Sequence, residues 1–268
     1  MHIIISGGGT GGHIYPAIAI ANALKELRPD VEILFVGAEG RMEMEKVPRA
    51  GYRIVGLPIA GIDRSNLLAN VGFPVKLLRS LAKARALVKE FRPDAAVGVG
   101  GYASGPLLLA ARALGVPYLI QEQNSYAGLT NKFLAKGARK ICVAYPGMEA
   151  FFPKEKLQLT GNPVRADLLD VGAKRPAALA HFGLSPEKKT LLAIGGSQGA
   201  RTLNESLEAG LPQLLGAGYQ VVWQTGKLFT DRAHAAAEGQ PGVYVSEFIY
   251  EMDLAYAVAD AVVSRAGA

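Results

Sequence analysis

The sequence predicts an α/β protein built from two Rossmann-like, doubly wound parallel-sheet domains that face each other across a cleft. Three observations carry the prediction. Short apolar runs bounded by glycine alternate with stretches of helical spacing along nearly the whole chain. A glycine-rich loop follows such a run at the start, again near residue 100 and once more near residue 195. The pattern also restarts: after Gly161-Asn162-Pro163-Val164-Arg165 and a mixed stretch containing alanine, glycine and proline, a new series of strands and helices opens at Thr190. The expected division is an N-terminal domain over 1–165, a linker over 166–176 and a C-terminal domain over 177–268.

The opening segment organises the rest. His2 to Ile5 is an unbroken apolar run that reads as a strand buried on both faces. Ala17, Ile20, Ala21, Leu24 and Leu27 then fall on one helical face, and Pro16 is expected in the first turn, where a missing N–H costs nothing. Between them, Gly7, Gly9 and Gly12 satisfy G-x-G-x-x-G, the dinucleotide fingerprint. Glycines admit a ligand close to the backbone, and the N–H groups at the start of the next helix favour an anion such as a phosphate. His13 is foreign to that fingerprint. A titratable ring beside an anion site is a candidate acid or base, against the plainer reading of a capping or packing histidine.

Val31 to Val36 gives a second strand, followed by Glu39 and a short helical run around Met42 to Val47. In a dinucleotide enzyme Glu39 would bind a ribose; a solvated loop acid is the simpler reading. Arg53 to Leu57 is a strand, and Pro74 opens a helix with core residues Leu77, Leu81, Ala84, Val88 and Phe91. Lys76, Arg79 and Lys83 occupy another face of that helix, with Leu67 and Leu68 in the loop before it. Between Asn66 and Arg92 six cations meet one acid, Glu90. This combination fits an anionic bilayer surface, where each cation adds roughly 1 kcal/mol, or an ordinary solvated face.

Asp94 to Val99 runs into Gly100-Gly101-Tyr102-Ala103-Ser104-Gly105-Pro106 and a helix from Leu107 to Leu114, which repeats the opening design. Two glycine loops at one sheet edge suit a substrate carrying a diphosphate. Val116 to Gln121 ends in Glu122-Gln123-Asn124, polar residues placed where such sheets contact ligands. Gly128 to Lys136 reads as a helix, with strands at Arg139 to Ala144 and Leu157 to Thr160. In the second half, Leu191 to Ile194 and Gly195-Gly196-Ser197-Gln198-Gly199-Ala200 form a strand and loop before a helix through Leu203, Leu207 and Leu211. Strands at Tyr219 to Gln224, Val243 to Val245 and Ala261 to Ser264 alternate with helices at Leu228 to Glu238 and Glu251 to Val258. The sequence stops directly after a strand, so the second sheet is expected to be incomplete.

With 268 residues, half of them apolar, burial is not limiting. The single cysteine, Cys142, excludes an internal disulfide, fits a reducing compartment and reads as a structural thiol. No export signal precedes the first strand, and the longest uncharged stretch, Ala95 to Ala111, is broken by glycines and Pro106, so no transmembrane segment is expected. The formal charge of +6 points to anionic partners, and its concentration between residues 66 and 92 favours a membrane surface over nucleic acid. No Asp-x-Asp or His/Cys cluster suggests a metal site, and no cofactor is expected.

Taken together and in this order, Gly7 to His13, Gly100 to Pro106, Glu122-Gln123-Asn124, Gly161 to Arg165 and Gly195 to Ala200 resemble the peptidoglycan glycosyltransferases of family 28, which have the GT-B fold. The resemblance implies transfer of N-acetylglucosamine, with inversion, from UDP-N-acetylglucosamine to the C4 hydroxyl of an undecaprenyl-pyrophosphoryl-MurNAc-pentapeptide, at the cytoplasmic face of the cell membrane. It implies that Thr10, Gly11, Gly12, Asn124, Arg165, Ser197 and the backbone of Ile249 bind the nucleotide sugar. His13 becomes the candidate base, and Gly101, Tyr102 and Ser104 belong to the loop for the acceptor diphosphate. Family members continue beyond the position of Ala268 with a Thr-x-x-Glu segment and a His-Gln pair, which this sequence does not include. The alternatives are an NAD-dependent dehydrogenase, on the strength of the fingerprint and Glu39, a UDP-sugar epimerase of the same fold, or a non-catalytic membrane-associated module.

Overall fold

A computed structural model describes residues 1–61, 71–164, 171–196 and 198–265. The chain divides into two compact units at residue 165/166.

The first unit is a seven-stranded sheet in the order β3-β2-β1-β4-β5-β6-β7, with every neighbouring pair parallel. Its strands are β1 (His2–Gly7), β2 (Glu32–Ala38), β3 (Arg53–Leu57), β4 (Ala95–Gly100), β5 (Tyr118–Glu122), β6 (Lys140–Val143) and β7 (Leu157–Leu159). Its helices are α1 (Gly11–Leu27), α2 (Glu43–Arg49), α3 (Phe73–Phe91), α4 (Ser104–Ala113) and α5 (Leu129–Leu134). Successive side chains of a strand point to opposite faces, so each central strand feeds two cores. Ile3 and Ile5 of β1 pack with Phe35, Val97 and Val99 against Ile14, Ala17 and Ile18 of α1 and Val47 of α2. Ile4 of the same strand packs with Leu34, Val36 and Ala96 against Ala84 and Val88 of α3, Leu107 and Leu108 of α4 and Leu134 of α5. The unbroken isoleucine run is thus explained by helices on both sides of the sheet.

Strand order fixes where a ligand can lie. From β1 the chain steps outward to β2 and β3, then returns to β4 on the other side of β1. That reversal opens a crevice beyond the carboxyl ends of β1 and β4, the position at which open α/β sheets bind ligands.

The second unit repeats the plan with β8 (Thr190–Ile194), β9 (Gln220–Gln224), β10 (Val243–Ser246) and β11 (Ala261–Ser264) in the parallel order β10-β9-β8-β11. Leu192 and Val222 face α6 (Arg175–Phe182) and α9 (Met252–Val258), while Ala193, Val221 and Trp223 face α7 (Arg201–Gly216) and α8 (Thr230–Ala237). Helix α6 was not foreseen: it begins inside the stretch read as a linker, with Pro176 in its first turn and Gly183 closing it at φ +65°.

Two further differences bear on the site. Helix α1 starts at Gly11, five residues before Pro16, so the proline lies inside the helix and His13 in its first turn. Helix α4 starts at Ser104, three residues earlier than the apolar spacing suggests, which converts Ser104 from a loop residue into a helical one.

Candidate functional site

The crevice of the first unit holds a cavity of about 210 Å3. Three stretches wall it: the β1–α1 loop with His13, the β4–α4 loop through Gly100, Gly101 and Tyr102, and the segment from Glu122 to Asn131. Thr10, His13, Gly101, Tyr102 and Asn124, five of the residues singled out in the sequence, therefore share one pocket.

His13 is held from one side only. Its Nδ1 lies 3.1 Å from the carbonyl oxygen of Gly8 and 3.3 Å from the hydroxyl of Thr10. A carbonyl can only accept, so the neutral ring carries its proton on Nδ1 and keeps the lone pair on Nε2. Burial pushes the imidazole below its ordinary value; the Gly8 carbonyl and the nearby carboxylates of Glu122 and Glu43 oppose that shift without overcoming it. The result is a ring that is neutral near pH 7, with one free basic nitrogen in a pocket wall. Gly100 makes room for it and Gly101 for the backbone of Gly8, at φ +104° and +90°, where a side chain is strained. A Cβ on Gly100 would sit 2.7 Å from Nε2.

Two buried glutamates build the frame: Glu122, of the polar run expected at the ligand edge of the sheet, and Glu43, which nothing in the sequence marked. Glu43, the first residue of α2, is 1% exposed and accepts the N–H of Gly9 at 2.8 Å and of Ala38 at 3.0 Å. The Gly8 N–H is directed at the carbonyl of Gly100, 3.4 Å away. The amides of Gly8 and Gly9 are thus occupied by the protein's own groups, upstream of the helix-start N–H groups to which the sequence assigns an anion. An acid in the first turn of a helix ordinarily reads as a match for the helix dipole, so nothing in the sequence marked Glu43 as part of the loop.

Glu122 closes β5 and takes four hydrogen bonds, from the N–H and side-chain amide of Asn124 (3.1 and 3.0 Å), the N–H of Gly128 (2.9 Å) and the amide of Asn131 (2.9 Å). Asn124 is thereby fixed in the wall with one amide hydrogen committed. Asn131, also in the wall, leaves its buried Oδ1 without a partner among the described residues.

Ser104 is a correction. Its hydroxyl is buried and donates to the carbonyls of Ser6 (3.1 Å) and Gly100 (2.8 Å), so it ties β1 to β4 beneath the loop and has no free face for a diphosphate.

In the second unit, Ile249 is buried and its N–H donates to Oε1 of Gln224 at 2.9 Å. The same amide donates from Nε2 to the carbonyl of Gly196 at 3.0 Å. Gln224 thus bridges the glycine loop to the Ile249 segment, and of the Ile249 backbone only the carbonyl remains to meet a base. Gly199 and Gly226 face each other so closely that neither has space for a Cβ. Arg165 and Ser197 lie outside the described residues.

On α3, Lys76 and Arg79 are exposed among exposed Val75 and Leu78, with Val71 just before the helix. Lys83 is spent on Glu39 at 3.0 Å, which weakens its part in a cationic face and ties up the acid a dinucleotide site would use. Leu67 and Leu68 lie outside the described residues. Among the described residues no helix is long and apolar enough to cross a membrane, and no group of three or more His, Cys, Asp or Glu is placed to hold a metal.

The chain matches the model of the glycosyltransferase family 28 N-terminal domain over residues 3–143 and that of the family 28 C-terminal domain over 190–268. It is 61% identical, over 99% of its length and 73% of the relative's, to the UDP-N-acetylglucosamine–N-acetylmuramyl-(pentapeptide) pyrophosphoryl-undecaprenol N-acetylglucosamine transferase of Parabacteroides distasonis. The Bacteroides fragilis protein of the same name is 60% identical over all of this chain and 72% of its own. Among solved structures, Acinetobacter baumannii MurG superposes with a TM-score of 0.66 at 31% identity, over 99% of this chain and 74% of that one. A Neisseria meningitidis UDP-GlcNAc 2-epimerase reaches the same TM-score at 13% identity, covering 100% and 78%, which shows a common fold alone.

Proposed function

The chain belongs to glycosyltransferase family 28, and on that footing we propose that it moves N-acetylglucosamine from UDP-N-acetylglucosamine to the C4 hydroxyl of undecaprenyl-pyrophosphoryl-MurNAc-pentapeptide, the step that completes the lipid-linked disaccharide of peptidoglycan. It is a hexosyltransferase with the two parallel-sheet units of the GT-B class.

One observation carries the chemistry: a neutral imidazole with a free Nε2, held in the wall of a pocket at the switch point of the first sheet. In this reading Nε2 of His13 accepts the proton of the acceptor hydroxyl as its oxygen attacks the anomeric carbon. The bond to UDP breaks with its electron pair on the diphosphate, and attack from the opposite side inverts the centre. Because the ring is already neutral, no proton has to leave before it acts. Asn124, fixed by Glu122, and Thr10, Gly11 and Gly12 at the start of α1 are assigned to the donor sugar. The Ile249 carbonyl is assigned to the N–H of uracil, and Arg165 and Ser197 to the polar groups of the nucleotide sugar. The support for Gly101 and Tyr102 as acceptor contacts is their place in the same pocket wall as His13.

For the membrane that carries the acceptor, the exposed side chains of Val71, Val75 and Leu78 beside Lys76 and Arg79 support a peripheral contact through α3 at the cytoplasmic surface. The epimerase alternative is not favoured, because its likeness rests on fold alone. Incubating the protein with radiolabelled UDP-N-acetylglucosamine and the lipid acceptor should place label in the lipid. Tight NADH binding with neither UDP-sugar binding nor transfer would overturn the reading.

A further inference from the structure

The pocket that the acceptor loop, Gly101 and Tyr102, shares with His13 has a wall of the wrong charge for a diphosphate. Among its described lining residues Glu122 is acidic and none is a lysine or arginine. Behind the wall Glu43 adds a second carboxylate, and it has already taken the Gly9 amide that a phosphate oxygen would seek. A dianion entering here meets like charge at short range, so it needs a cation from just outside the wall.

Arg41 is that cation. It lies in the turn between β2 and α2, exposed, with its guanidinium 5.9 Å from the centre of the Tyr102 ring. Tyr102 itself walls the pocket beside Gly101. Among the described residues Arg41 has no carboxylate partner, in contrast to Lys83, which is paired with Glu39 only two residues earlier in the chain. A guanidinium resting on an aromatic face keeps its planar set of donors free at the edge, and that fork matches two phosphate oxygens at once. We infer that Arg41 binds the diphosphate of the lipid acceptor, reaching it over the Tyr102 ring at the mouth of the His13 pocket. The inference rests on the transferase reading for the identity of the ligand. Its anion chemistry stands on an arginine that no acid neutralises among the described residues. It commits to the acceptor's diphosphate and not the donor's, because Arg41 borders the Gly101–Tyr102 wall of the first unit.

The test uses geranyl diphosphate, a short isoprenoid diphosphate, as the probe, with UDP titrated in parallel. The parent protein should bind the probe, Arg41→Ala should bind it roughly 10- to 100-fold more weakly, and Arg41→Lys should fall between, since a lysine keeps the charge but not the fork. UDP affinity should be the same in all three. Arg41 is exposed, so the variants are expected to fold, and circular dichroism spectra matching the parent's establish that they have. Equal probe binding by parent and Arg41→Ala, no binding by the parent, or a parallel loss of UDP affinity each overturns the inference. Absence of label transfer to the full acceptor, with Arg41-dependent probe binding intact, would count against the transferase reading and leave the anion site standing.

Discussion

Replacing Glu43 with alanine should unfasten the first glycine loop while leaving the second unit untouched. The carboxylate accepts the buried N–H of Ala38 and the part-buried N–H of Gly9. Leaving a buried donor without an acceptor costs roughly 1–3 kcal/mol, and the Gly9 amide recovers some of that loss through water, so the expected destabilisation is about 2–4 kcal/mol. Glu43→Gln keeps one acceptor but turns an NH2 toward the other amide, and should cost about half as much. The measurement is urea unfolding read by two signals. Far-UV circular dichroism sees both units, whereas the single tryptophan, Trp223, lies in β9 and reports the second. With a slope of about 2 kcal/mol per molar urea, the dichroism transition of the first unit should move down by about 1–2 M while the fluorescence transition stays in place. Added phosphate should stabilise Glu43→Ala more than the parent, because the variant gains a vacant anion position at the Gly9 and Ala38 amides. A Glu43→Ala protein within about 0.5 kcal/mol of the parent, the range of an ordinary surface change, would refute the view that the protein supplies its own anion to this loop.

Four further outcomes are expected. His13→Ala should lower transfer by about 10²-fold or more with little change in UDP-N-acetylglucosamine affinity, and unchanged transfer rejects the base. Since burial holds the ring's proton less tightly than usual, Nε2 stays free until the pH falls below the ordinary histidine value of 6.5, so the acid limb of kcat/KM should lie under that value; a limb above it contradicts the assignment. Gln224→Met keeps the bulk of the side chain but releases both the Ile249 N–H and the Gly196 carbonyl, and should raise the donor KM about tenfold with the acceptor KM unchanged, a prediction that fails if both constants move together. Lys76→Glu with Arg79→Glu should reduce co-sedimentation with anionic vesicles most clearly at low salt; salt-independent binding would return this face to plain solvation.

Much of this architecture was readable because buried parallel strands write themselves as short apolar runs, and glycine marks the turns between them. His2 to Ile5, Arg53 to Leu57 and Thr190 to Ile194 are cases where composition alone locates the strand. Helix starts were less legible. Apolar spacing begins only where a helix touches the core, so the first turns of α1 and α4, made of glycine, His13 and Ser104, looked like loop. Helix α6 hid within an alanine- and proline-containing stretch that also fits a tether. The pocket's polar frame was hardest to foresee. Glu43, Gln224 and Asn131 act through partners 34, 25 and 9 residues distant, and a single sequence carries no trace of such pairings. His13 was visible because it stands out from its glycine neighbours and Asn124 through the family resemblance, whereas Ser104, assigned to the loop, is an internal tie.

The bare backbone of Gly100 against the imidazole has a consequence for how this wall can change over time. Any codon that adds a carbon there pushes into the ring edge bearing the lone pair, so the wall can be remodelled only at the expense of the group it shelters. An inhibitor that packs flat on Gly100 and Gly101 would therefore leave few escape routes by substitution at its point of contact. Resistance would have to come from supply, efflux or a more distant rearrangement.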